Sequence, residues 1–226
     1  MTEMLHDLAV RLSGLVALGG WVVGVLLSIS VLAGAVILWK LWHLGRLRIG
    51  RHAALQAALD QWNAGDAVQA RAALRACGAP LAQLGARAVA TGAGDSTLRA
   101  RLHAEAEAHA ARAETGLRLL DTIAQVTPLL GLFGTVLGMI SAFQALQGAG
   151  ASVDPSVLAG GIWVALLTTA VGLGIAMPVS VILSAFDARI LAERRMAGVM
   201  VETLLGPALP APRLPDPVPD LAARHA

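Results

Sequence analysis

Three hydroxyls set the chemical question: Thr135, Thr168 and Thr169 lie inside two long stretches that contain no internal charge. Asp121, Asp154 and Asp187 are the only charged residues between positions 119 and 188, and they stand at the ends of those stretches rather than within them. A threonine hydroxyl both donates and accepts a hydrogen bond. A threonine in an apolar helix ordinarily spends that capacity on a carbonyl one turn earlier in its own chain. Thr135 and Thr169, with Thr168 beside the latter, sit among small residues. If several copies of the chain assembled around an axis, these positions would present a ring of hydroxyls to a central lumen.

The elements that carry these residues are membrane spans. Each uncharged stretch is roughly 32 residues, well beyond the ~20 that a helix needs to cross a bilayer. The excess allows tilt or extension past the membrane. A third uncharged run, from Leu12 to Trp39, is roughly 28 residues, too long for the core of a signal peptide at about 7 to 15. Trp21 and Trp39, with Trp42, bracket about 27 Å of helix at ~1.5 Å per residue, as an aromatic belt would.

These lengths predict an all-α polytopic membrane protein with three transmembrane helices and a helical cytoplasmic region, its long helices extending from the membrane into the cytoplasm. The expected order is a periplasmic lead at 1–11, spans at 12–39, 122–147 and 157–186, a cytoplasmic helical region at 40–121 and an external turn at 148–156. A cytoplasmic helix at 187–205 and a Pro-rich disordered tail at 206–226 complete the chain.

Basic residues near span ends stay on the cytoplasmic side. Only Arg11 precedes the first span and none lies between the second and third, whereas Lys40, Arg46, Arg48 and Arg51, then Arg112 and Arg118, then Arg189, Arg194 and Arg195 flank the other ends. This asymmetry predicts an external N-terminus and a cytoplasmic C-terminus.

In the second span Gly131, Gly134 and Gly138 recur at helical spacing, and in the third Gly161, Ala165, Gly172 and Ala176 do the same. Small residues at that spacing let helix backbones approach closely, so the two spans are expected to pack as an antiparallel pair. Pro128 and Pro178 each remove one helical hydrogen bond and mark expected kinks. In the middle region, turns are expected at 63–66, 78–80 and 92–95, with Asp66 and Asp95 as caps. One long helix is expected to run from Ser96 into the second span, with Arg101, Glu105, Glu107, Arg112 and Glu114 on solvated faces.

Composition closes several alternatives. A mean hydropathy of +0.67 with 56% hydrophobic and 14% charged residues lies outside the range of soluble domains. Net charge is +2, without a basic stripe interleaved with aromatics, which argues against nucleic-acid binding. One cysteine, Cys77, has no companions at ligand spacing, so no metal site, cofactor or disulfide is expected. All six histidines lie outside the spans without a nucleophile constellation, so no enzyme is expected. His103 and His109, six apart on one helix, are expected to be solvated.

The runs Thr127-Pro128-Leu129-Leu130-Gly131-Leu132-Phe133-Gly134-Thr135-Val136 and Gly161-Ile162-Trp163-Val164-Ala165-Leu166-Leu167-Thr168-Thr169-Ala170 strongly resemble the MotA/TolQ/ExbB proton-channel family. One span before the cytoplasmic region, rather than two, matches the ExbB/TolQ-like branch. The resemblance implies a homopentamer in the bacterial inner membrane, surrounded by lipid, whose lumen holds the single-span helices of an ExbD- or TolR-like partner. It implies service to a TonB-like protein in outer-membrane transport, or to a TolA-like protein of the Tol-Pal envelope system. It places Thr135 and Thr169 on the family's lining threonines and Pro128 and Pro178 on its recurrent prolines. One departure stands out: the family usually carries glutamate immediately before the Ala-Leu-Leu-x-Thr run, where this chain has Val164. Either a partner's aspartate and the threonines suffice for proton passage, or the chain is a non-conducting scaffold.

Overall fold

The computed structural model describes residues 2–46, 52–91, 96–148 and 155–206, with side chains from residue 20 onward. The described residues form seven helices and no strand: α1 (Thr2–Arg46), α2 (Ala53–Asn63), α3 (Ala67–Ala76), α4 (Pro80–Thr91), α5 (Ser96–Glu114), α6 (Leu117–Gly148) and α7 (Pro155–Leu205). Gly20, at φ 68°, breaks α1 and leaves Gly20–Arg46 as its membrane-length segment; α6 and α7 are also long and apolar enough to span. The protein is an all-α polytopic membrane protein. The expected turn at 92–95 with its Asp95 cap, residues 149–154 of the external turn, and the Pro-rich tail beyond Gly206 lie outside the described residues.

The chain divides into two compact units, residues 1–50 with 107–194 and residues 51–106 with 195–226. In the second unit, Asp66 caps α3 by accepting from the Gln69 amide at 3.0 Å, and α2 to α4 close over Leu55, Leu74, Leu81, Met200 and Val201. Gly85 gives α4 its close approach to α7: a Cβ there would lie 3.0 Å from Met200 Sδ and 3.1 Å from Leu204 Cδ1. Some charged residues of α5 are paired, as Glu105 with Arg87 at 2.6 Å and His103 with Glu202 at 3.4 Å.

In the first unit, Ala33, Leu44, Ala110, Leu120, Val179, Phe186 and Ile190 form a core shared by α1, α5, α6 and α7. The span surfaces otherwise present large apolar side chains outward, among them Trp21, Val31, Leu129, Trp163, Leu166 and Val181. Water solvates such a surface poorly, whereas lipid or further protein covers it without cost.

Two features differ from the sequence expectation. The helix expected to run unbroken from Ser96 into the second span stops at Glu114 and restarts at Leu117, because Gly116 adopts φ 85°, which an L side chain rarely takes. His109, expected in solvent, is 8% exposed: a helix-face argument cannot see that α7 brings the 4%-exposed Glu193 against it. His109 Nε2 stands 4.0 Å from Glu193 Oε1, without a hydrogen-bond partner. Beside this pair Arg194 binds Glu107 at 2.6 Å and Glu114 at 2.8 Å.

Burial pushes the His109 imidazole below the usual histidine range; Glu193 opposes that shift and Arg112 adds to it. The unfolded chain then binds the extra proton, so His109 contributes stability fully above pH 6.5 and loses it as pH falls from 6.5 toward the lowered folded value. One proton limits the slope to about 1.4 kcal/mol per pH unit. Protection of the amides in residues 107–113, taken relative to their intrinsic exchange rates, should therefore fall between pH 7.5 and pH 5, and His109→Phe should flatten that dependence.

Candidate functional site: the seam between α6 and α7

The helices α6 and α7 meet along their small residues, and the contacts run in opposite chain directions. A Cβ built on Gly161 would lie 2.5 Å from Ala142 Cβ, one on Gly138 3.0 Å from Ala165 Cβ, and one on Gly134 2.6 Å from Thr168 Oγ1. Further along, a Cβ on Gly131 would meet Thr168 O at 3.0 Å and Thr169 Cα at 3.1 Å, and one on Gly172 would meet Thr127 O at 2.9 Å. Rising numbers on α6 pair with falling numbers on α7, so the pair is antiparallel. Gly131, Gly134, Gly138, Gly161, Ala165 and Gly172 all face the seam, and Ala176 is buried beyond it.

Two of the three threonines are hydrogen-bonded differently from the third. Thr168, 1% exposed, donates toward Ala165 O at 2.7 Å and Gly131 O at 3.2 Å, so its hydroxyl sits in the seam and spans both helices. Half-exposed Thr135 donates to Leu132 O of its own helix at 2.6 Å. The Thr169 hydroxyl oxygen is buried and has no hydrogen-bond partner. Its Cα lies opposite Gly131, so Thr169 sits one helical turn from the level of Thr135 on α6. A buried polar atom without a partner costs about 1–3 kcal/mol, and such atoms in native structures call for a reason.

Sequence reasoning passed over Thr127. It is 0% exposed, its hydroxyl donates to Ile123 O at 2.5 Å, and its carbonyl faces Gly172. It precedes Pro128, whose missing N–H leaves the carbonyl four residues earlier without its helical donor. Pro178 does the same inside α7. Both helices run through their prolines without a break in assignment. Val164 is half-buried on α7, between Trp163, 62% exposed, and Ala165, 3% exposed.

Residues 70–197, which hold the whole of this seam, match the model of the MotA/TolQ/ExbB proton channel family. The chain belongs to that family. Its relatives in the ExbB/TolQ-like branch include the biopolymer transport protein exbB1 of Vibrio cholerae, 53% identical over 64 residues, 28% of each chain. The Tol-Pal system protein TolQ of Haemophilus influenzae is 46% identical over 65 residues, 29% of this chain and 28% of its own. A longer match, 27% identical over 161 residues, covers 70% of this chain and 77% of a putative ExbB-like biopolymer transport protein of Synechocystis. This member of the MotA/TolQ/ExbB family thus shares a short, highly similar stretch with the first two relatives, spanning less than a third of their length. ExbB-named and TolQ-named proteins both stand among its relatives.

Proposed function

We propose that the chain is a proton-channel subunit of an energy-transducing motor in the bacterial inner membrane. The observation that carries this reading is the Thr169 hydroxyl, buried without a partner beside the glycine seam of a proton-channel family member. In this reading half-exposed Thr135 faces a lumen enclosed by five copies, and the Thr169 hydroxyl, buried within one chain a helical turn away, reaches that lumen by rotating about its Cα–Cβ bond. Thr168, its hydroxyl already engaged across the seam, holds α6 against α7. Pro128 and Pro178, each lacking an amide donor, are the points at which the two lining helices would bend to set their tilt. An ExbD- or TolR-like single-span partner occupies the lumen and supplies the proton acceptor, an aspartate. The asymmetry of basic residues supports an N-terminus in the periplasm, with residues 40–121 and 187–226 in the cytoplasm. The chain performs no covalent chemistry. Coupling to a TonB-like protein makes it ExbB-like, and coupling to a TolA-like protein makes it TolQ-like; the partner decides.

A second reading rests on Val164: with no Asp or Glu in α6 or α7 between Asp121 and Asp187 among the described residues, the chain is a scaffold that assembles without conducting. Proton flux into liposomes containing the chain with its single-span partner separates the two. The channel reading expects flux that falls to the leak level when the partner's aspartate is replaced by asparagine. Absence of flux with the intact partner, from an assembly that still forms, overturns it in favour of the scaffold.

A further inference from the structure

Lys40 is the only lysine in the chain, all sixteen other basic residues of the seventeen being arginine, and it is 0% exposed near the end of α1. Its ammonium donates to Thr115 O at 2.7 Å and also to Ala113 O. Both carbonyls lie at the break between α5 and α6. Helix ends leave their last carbonyls without intrahelical donors, and here those of α5 are met from a third helix. Trp39 packs over the same break, so closely that a Cβ on Gly116 would lie 3.0 Å from its Cζ3. His43 stacks on Trp39 with centroids 5.1 Å apart and places Nε2 3.4 Å from Arg112 O. Trp39, Lys40 and His43 therefore grip the four residues around one non-helical point. The backbone bonds that bracket that point are long: Thr115 N to Arg112 O and Leu120 N to Gly116 O are each 3.4 Å.

We propose that the Thr115–Gly116 break is an articulation between the cytoplasmic helix α5 and the membrane helix α6, and that Lys40 of α1 is its pin. The observations divide the work. Gly116 makes the bend possible, the long flanking bonds make it compliant, and the ammonium holds it in one setting. A compact ammonium with three donors can satisfy two carbonyls on a narrow approach, which the broad planar fork of an arginine does less well. That chemistry accounts for lysine at this one position. Tilting of α6 need not drag α5 with it while the pin is released, and must do so while it is engaged. The inference stands whether or not the chain conducts protons.

Amide hydrogen exchange on the assembled full-length protein tests the proposal, comparing the chain as it stands with Lys40→Met and Lys40→Gln. Losing a charge-assisted bond at a marginal site should raise exchange at Thr115 and Leu120 by about tenfold in Lys40→Met, and by less in Lys40→Gln, which keeps a neutral donor. Exchange in the membrane segments of α1 and α6 should stay unchanged. A second measurement leaves Lys40 in place. Since Lys40 is the only side-chain amine, an amine-reactive reagent should label it slowly in the native chain and several-fold faster in Gly116→Ala, which strains the break. Unchanged exchange at Thr115 and Leu120 in both variants overturns the proposal, as does exchange raised equally along α1, α5 and α6, which would make Lys40 a general support. Equal labelling of Lys40 in Gly116→Ala and the native chain overturns it as well.

Discussion

Gly172→Val should remove most folded protein from the membrane, whereas Gly174→Ala, two residues along the same helix, should leave its amount and thermal stability intact. The contrast follows from what each new side chain meets. A Cβ at Gly172 falls 2.9 Å from Thr127 O and 3.1 Å from Gly131 Cα, both backbone atoms of α6. No rotamer change relieves such a contact; the two helices must separate. Separation then breaks the Thr168 hydrogen bond to Gly131 O and opens the packing of Gly134 against Thr168. Overpacking a well-filled interface costs typically ~1–3 kcal/mol, and here the loss of seam contacts adds to it, so the total should reach at least about 3 kcal/mol, a large part of a membrane domain's margin. A Cβ at Gly174 meets nothing within 4 Å. Alanine there should match glycine or gain up to about 1 kcal/mol from helix propensity. Thermal unfolding in detergent, read beside the yield of assembled protein, checks both. Comparable losses in the two variants would mean that the seam seen in one chain is not the contact that holds the protein together.

The seam was legible in the sequence because small residues at helical spacing have one main use in a membrane, close approach of helices, and the antiparallel order follows from a short connection between adjacent spans. The Asp66 cap was legible for a similar reason: its partner, the Gln69 amide, is three residues away. What could not be read were contacts that one helix imposes on another. Lys40 counted only as one more positive charge marking a cytoplasmic end, and its burial arises because α5 ends against α1, which no local pattern announces. Its standing as the only lysine among sixteen arginines was a usable sign. His109 illustrates the same limit. Spacing within α5 correctly separates it from His103, which is 46% exposed at its side chain, yet only α7 decides that one histidine is buried and the other is not. The break at Gly116 sits between these cases: the glycine was visible as an interruption, but the apolar pattern continues through it, and periodicity alone favours an unbroken helix.

Among the threonines, the sequence could name three hydroxyls but not sort them. Sorting needs the partner helix, because Thr168 and Thr169 are adjacent in sequence and point about 100° apart around α7. One lands on Gly131 O and the other finds no acceptor or donor. That difference separates the hydroxyl that bridges the two helices from the one left without a partner.

Val164→Glu should raise proton flux through the assembled complex by at least about tenfold, since a relay group placed in a proton-transfer step is worth roughly 10²–10⁴ in rate, while it lowers the stability of the chain. The position is suited to such a group. Val164 is half-buried, its neighbour Ala165 packs against Gly138 in the seam, and Thr168 lies one turn further along the same helix face. A carboxylate there would be the only acid of α6 and α7 between Asp121 and Asp187 among the described residues and would stand near a hydroxyl that already bridges to α6. The cost is predictable in sign: an acidic residue near the centre of a membrane helix is disfavoured by ~2.5–3.5 kcal/mol on insertion scales, and valine avoids that cost. Stability and conduction should therefore move in opposite directions between the two proteins, measured as thermal unfolding and as liposome flux with the same single-span partner. Equal flux from both would show the position to be uninvolved and would return the whole burden of proton passage to the partner's aspartate and to Thr135 and Thr169. Flux from the glutamate variant alone would identify the valine as the reason that this chain assembles without conducting.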